Sequence, residues 1–193
     1  MGSLCALWVV LTLLEALNGP TPQPLLAMAQ VLQSFQEDEF QGDWFVLGLA
    51  GSAHRKADRS FLNPFIATFE QKEPGYLAVS YAMTRGQRCT TWAYVLVPTA
   101  QPGKFSVDTS KEPGADAEEV QVVNTDYTSF ALMVFRRRSG RQSVLRVHLL
   151  CRMWAIQTQV LHQFVCLIRA QGLSEDNVVF PDLTDLSPNL GTC

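Results

Sequence analysis

Apolar and polar residues follow two different periods along this chain. Leu25, Met28, Leu32 and Phe35 recur at helical spacing, which predicts a short helix or turn over 25–35 covering one end of the domain. Eight runs of strand character follow, at 44–49, 65–71, 76–83, 89–97, 104–108, 119–124, 130–137 and 143–151. β-branched and aromatic residues dominate these runs. Turn signals separate them, among them Glu73-Pro74-Gly75, Gln101-Pro102-Gly103, Glu112-Pro113-Gly114 and Ser139-Gly140. Eight short strands at this spacing predict an up-and-down antiparallel barrel or a sandwich. After Cys151 the period becomes helical. Val160, Leu161, Phe164, Val165, Leu167 and Ile168 form a stripe over 158–171, and Gly172 is placed to stop it. Such a stripe must dock on something, and the outside of the barrel is the available surface. The tail over 181–193 has the composition of a loop.

The N-terminus changes the picture. Residues 4–14 are almost continuously apolar, and Ala16, Asn18 and Gly19 follow. This predicts a secretory signal over 1–19, cleaved within 16–19, because the run is too short to span a bilayer. Residues 20–193 are then a single extracellular domain with no stable membrane insertion. Cys5 leaves with the signal, and Cys89, Cys151, Cys166 and Cys193 remain. Four cysteines in a secreted chain permit disulfides in three complete pairings. None has the CxxC spacing of a zinc or redox site, so no metal is expected. With 193 residues, 47% of them apolar, the chain is long enough for one sizeable core. The net charge of -3 argues against a nucleic-acid partner. Arg136, Arg137, Arg138 and Arg141 form the dense basic cluster, which reads as a solvated hairpin turn.

Three motifs stand in order on these elements. Phe40-Gln41-Gly42-Asp43-Trp44 opens the first strand, Thr125-Asp126-Tyr127 lies between two strand runs, and Arg152 follows the last strand. Here the sequence resembles the lipocalin family, whose signatures are G-x-W, T-D-Y and an arginine after the last barrel strand. Cys151 departs from the pattern, standing where a Gly commonly precedes that arginine. The stretches 44–51 and 172–181 look like the branch of the neutrophil siderophore-binding lipocalin, lipocalin-type prostaglandin D synthase and the epididymal lipocalins, the last being the most similar. The resemblance spans about residues 40–193. It implies an all-β fold: an eight-stranded up-and-down antiparallel calyx with one C-terminal helix packed outside. It implies an extracellular, monomeric carrier of a small hydrophobic ligand, without a cofactor, that could also meet a cell-surface receptor. Gly42, Trp44 and Arg152 would then close the barrel, the guanidinium stacking on the indole and donating to loop carbonyls. The branch also ties a fourth-strand cysteine to one near the C-terminus. That implies a Cys89–Cys193 disulfide, with Cys151 and Cys166 left as free thiols.

In a barrel, residues i, i+2 and i+4 line the interior. With the register taken from the resemblance, Ala131, Met133, Phe135 and Arg137 point inwards, as do Val144, Arg146, His148 and Leu150. Leu132 and Val134 point to the helix. Trp92 shares a face with Tyr94, and Val120 with Val122. The expected ligand-binding set is therefore Trp92, Tyr94, Val120, Val122, Met133, Phe135, Arg137, Arg146 and His148. This is an apolar cup with two arginines near its mouth. Either the arginines meet a ligand carboxylate or they reach past the hairpin into water. The first reading makes the ligand a retinoid, with retinoic acid first, or a fatty acid. Two alternatives compete. Prostaglandin D synthase uses a second-strand thiol, but the matching stretch 59–65 holds no cysteine, and no histidine has triad partners. No catalytic residue is therefore expected. The siderophore binder uses three cationic side chains, and Arg137 and Arg146 match only two of them, with Tyr94 at the third place. That argues for a less charged ligand. A pure protein-interaction module is a third class, for which no surface is marked.

Overall fold

The computed structural model describes residues 32–55, 65–85, 88–109, 116–140 and 142–181. Eight antiparallel strands form: β1 (Gly42–Gly51), β2 (Phe65–Glu73), β3 (Tyr76–Arg85), β4 (Arg88–Pro98), β5 (Lys104–Val107), β6 (Ala117–Thr125), β7 (Phe130–Ser139) and β8 (Gln142–Cys151). These are the strands that the alternation predicts, with ends within two residues. From β2 to β8 each strand pairs with the next. β1 pairs with β2 through its first half and with β8 through its second, so the sheet closes into a barrel. Closure leaves few unpaired main-chain groups at sheet edges. A register shift in β1 between Val46 and Gly48 marks a bulge where the strand changes partners. A two-residue strand, β9 (Val178–Val179), adds to β1 at Leu49 and Ala50. Two residues are too few for a period, so the sequence carries no signal for it.

Alternation sorts the apolar residues into two cores. One fills the barrel. The other lies outside, where Leu47, Leu132, Val134, Val147 and Leu149 meet a helix. A helical turn, α1 (Glu37–Phe40), precedes β1, and that outer helix is α2 (Thr158–Ala170). Val160, Phe164, Leu167 and Ile168 are its buried stripe. Each such side chain contributes roughly 1.5–3 kcal/mol over leaving it in water. The helix ends as the glycine signal predicts. The N–H of Gly172 donates to the Arg169 carbonyl, and that of Leu173 to the Ile168 carbonyl, which satisfies the last turn.

Of the helix or turn expected over 25–35, the helical form is corrected in the described part, 32–35. Residues 32–36 are not helical, and a helical turn lies later, at α1. Tertiary contacts override the spacing. Phe35 is drawn against Phe40, Phe105 and Tyr127, and the Gln36 N–H donates to the Tyr127 hydroxyl instead of to a helical carbonyl. Residues 1–31, the segment 59–64 and Cys193 lie outside the described residues, as does the side chain of Cys89. The signal segment, its cleavage and the Cys89–Cys193 bridge therefore rest on the sequence.

Candidate functional site

One end of the barrel is closed by main-chain hydrogen bonding around two side chains. Trp44 is fully buried, and its indole N–H donates to the Phe40 carbonyl at 2.9 Å. The Arg152 guanidinium lies over its ring at 3.7 Å. Arg152 donates to four carbonyls, those of Glu39 (3.1 Å), Gln41 (2.8 Å), Asp43 (3.0 Å) and Tyr127 (3.1 Å). Burial lowers the pKa of Arg152 below its ordinary value, and the Asp43 and Asp126 carboxylates oppose that shift. Gly42 has a φ of +92°, and a Cβ there would stand 3.2 Å from the Arg152 Nη1. Only glycine meets both demands. The second motif builds the adjoining turn. Burial raises the Asp126 pKa, but more than offsetting this are hydrogen bonds from the Ser129 hydroxyl and from the N–H groups of Phe130, Ser129 and Thr128. The net effect holds the carboxyl below its ordinary value.

Above this floor the interior is packed. Val120, Val122, Met133 and Phe135 face inwards and are at most 1% exposed. Leu77, Val79, Leu96 and Phe105 meet them from the other wall. The open apolar cup expected from alternation is thus filled by its own side chains. Inward direction follows from strand period, whereas the space left over depends on how the two walls meet.

The polar groups gather at the opposite end. Tyr94 donates a hydrogen bond to Tyr81 at 3.0 Å, and Trp92 stacks on Tyr81 with centroids 5.1 Å apart. Trp92 is 38% exposed at the rim. His148 is buried 4.3 Å from the Phe135 ring. The Arg146 guanidinium lies 5.3 Å from the centroid of that ring and forms an ion pair with Glu118. Burial raises the Tyr81 pKa to about 12, opposed by the Tyr94 hydrogen bond and the Arg146 charge and assisted by Glu118. Burial also holds the Tyr94 hydroxyl well above its ordinary value. Burial, with the charges of Arg146 and His54, keeps His148 well below its own and therefore neutral. A recess of about 690 Å³ opens here, lined by Tyr94, Val107, Asp108, Asp116, Glu118 and Arg137 among others. It runs beside the short β5 onto the outward-facing Thr68, Ser80 and Ala93.

The structure therefore brings Tyr94, Arg137, Arg146 and His148 to one end, with Trp92 at its edge and the four apolar side chains beneath. Arg146 is not simply solvated, because Glu118 already holds its guanidinium. Sequence reasoning missed Glu118, although the signal was present. Stepping back two residues from Val122 to Val120 and two more reaches Glu118 on the same face.

Neither described thiol faces this site. Cys151 is buried in the outer core under α2, and its pKa is pushed up to about 11 by burial and by the Asp126 charge. Cys166 is half-buried on α2, with its Sγ 3.9 Å from the His162 Nδ1, on the outside of the barrel.

Comparison with known proteins places this geometry. Residues 41–185 match the model of the Lipocalin / cytosolic fatty-acid binding protein family. Human epididymal-specific lipocalin-12 is 57% identical over 162 residues, covering 84% of each chain. Human neutrophil gelatinase-associated lipocalin is 31% identical over 184 residues, covering 91% of this chain and 93% of its own. The solution NMR structure of lipocalin 12 from rat epididymis superposes with a TM-score of 0.78 at 41% identity, over 88% of this chain and 97% of that one. Strand order, the floor built by Gly42, Trp44 and Arg152, the outer helix and these matches agree: the chain belongs to the lipocalin family.

Proposed function

We propose that this lipocalin is a secreted, monomeric carrier of an elongated apolar ligand ending in a carboxylate, with retinoic acid as the first candidate and a long-chain fatty acid as the second. The observation that carries this reading is the continuous apolar column between Trp44 and the polar mouth, with Arg137 at its rim. Apolar ligand surface entering the column gains about 25 cal/mol per Å². Part of that gain is spent on moving resident side chains, and Met133, with three rotatable bonds, yields most readily. Arg137 is exposed, and the ion pairs among the described residues do not include it. A ligand carboxylate at the mouth would satisfy its guanidinium. Catalysis is disfavoured, because a thiol raised to about 11 is no nucleophile at neutral pH and Cys151 points away from the interior. The segment 4–14 supports secretion, and a Cys89–Cys193 bridge, readable by non-reducing peptide mapping, would pin the tail to β4.

Tryptophan fluorescence quenching by all-trans retinoic acid and by retinol tests the proposal. The wild type should bind both, the acid more tightly, and Arg137→Met should remove the preference while keeping retinol affinity. Equal affinity in the wild type would refute the carboxylate half. Failure of both ligands to bind would refute the carrier reading itself.

A further inference from the structure

The mouth contains a carboxylate of its own, placed where a ligand's would go. Glu118 on β6 and Arg146 on β8 are separated by β7, and their register partners on that strand are Arg137 and Phe135. Arg146 therefore reaches across the Phe135 ring to make its ion pair. The contact is partly desolvated, with 16% of the Glu118 side chain and 36% of the Arg146 side chain exposed. The Tyr81 and Tyr94 hydroxyls feel the charges of both, so the ion pair and the hydroxyl pair form one polar cluster over the apolar column.

We infer that Glu118 is a specificity-determining residue of the ligand site, an internal counter-carboxylate that occupies Arg146 and limits how strongly an acidic head group is held. The inference rests on the carrier reading above and sharpens it. An incoming carboxylate that took Arg146 would replace one carboxylate by another and leave Glu118 half-buried without its cation. A charge stranded in this way costs as much as the new contact contributes. Acid preference in the wild type then comes from Arg137 alone. An alcohol or carbonyl head group meets no such competition and can hydrogen-bond to the tyrosine hydroxyls.

A double-mutant cycle on the full-length secreted protein tests this. The ratio of retinoic acid to retinol dissociation constants is read by tryptophan quenching, and folding is verified by circular dichroism. Glu118→Gln releases Arg146 and should strengthen retinoic acid binding relative to retinol by about tenfold, the scale of one charge-assisted hydrogen bond. Arg146→Met leaves Glu118 facing the ligand carboxylate and should weaken it by roughly fivefold. The double variant should return to within about twofold of the wild-type ratio, because both members of a balanced pair are gone. If Glu118→Gln does not fold, the other two variants decide the matter. A double variant as weak as Arg146→Met would overturn the inference, since Arg146 would then hold the acid directly, and so would an unchanged ratio in folded Glu118→Gln. Absence of retinol binding in the wild type is a separate result, which removes the carrier reading and this inference with it.

Discussion

Each end of the barrel sets an arginine over an aromatic ring, and the two arginines do different work. At the floor, Arg152 lies over Trp44 and gives its hydrogens to four main-chain carbonyls. At the mouth, Arg146 lies over Phe135 and gives its charge to one side chain, Glu118. Carbonyls held by the backbone cannot leave without unfolding the turn that carries them, so a ligand cannot compete for Arg152. A carboxylate on a side chain can rotate away, so a ligand can compete for Arg146. The partner, more than the arginine, decides whether a cation is structural or selective.

The largest expected effect lies at the floor. Trp44→Ala removes a fully buried ring, the seat of Arg152 and a hydrogen bond to Phe40, and should cost about 3–5 kcal/mol in urea denaturation. A loss below about 1 kcal/mol would mean that the two ends are not mechanically different.

Acid should separate the ends next. His148 at the mouth is held below its ordinary value of 6.5. The unfolded chain therefore takes up its proton first, and stability falls as pH drops below about 6.5 toward the lowered value in the fold. Asp126 at the floor is held below its ordinary 3.8, so its contribution persists above that pH and is lost only as pH falls through the folded value. Melting temperature should accordingly decline in two stages on acidification, and His148→Leu should flatten the upper one. A single decline confined to the carboxylate range would contradict the burial of a neutral His148.

Arg137 should give the smallest change in stability. It is exposed at the rim, and Arg137→Met should stay within about 0.5 kcal/mol of wild type by the same denaturation assay, even though it should alter ligand choice. A larger loss would show that the rim, too, holds the fold together.

The strands were legible because alternation over four or more residues is a local signal that tertiary packing in a barrel reinforces. The outer helix was legible for the same reason, its stripe being long and its end marked by Gly172. The described end of the helix or turn expected over 25–35 was not helical, because spacing alone could not foresee that Phe35 would be drawn among Phe40, Phe105 and Tyr127. At the mouth, alternation put Arg137, Arg146 and His148 on the inner face but was silent on pairing. Glu118 lies 28 residues from Arg146, and only the β6–β7–β8 register brings them together. The sequence by itself determined the period of each element and, once the register was taken from the family resemblance, which strand positions share a face, since these depend on local geometry and on short motifs. Tertiary structure alone decided that the interior is filled and that Arg146 is already neutralised. Free volume and ion pairing depend on distances between strands remote in sequence, which no local pattern encodes.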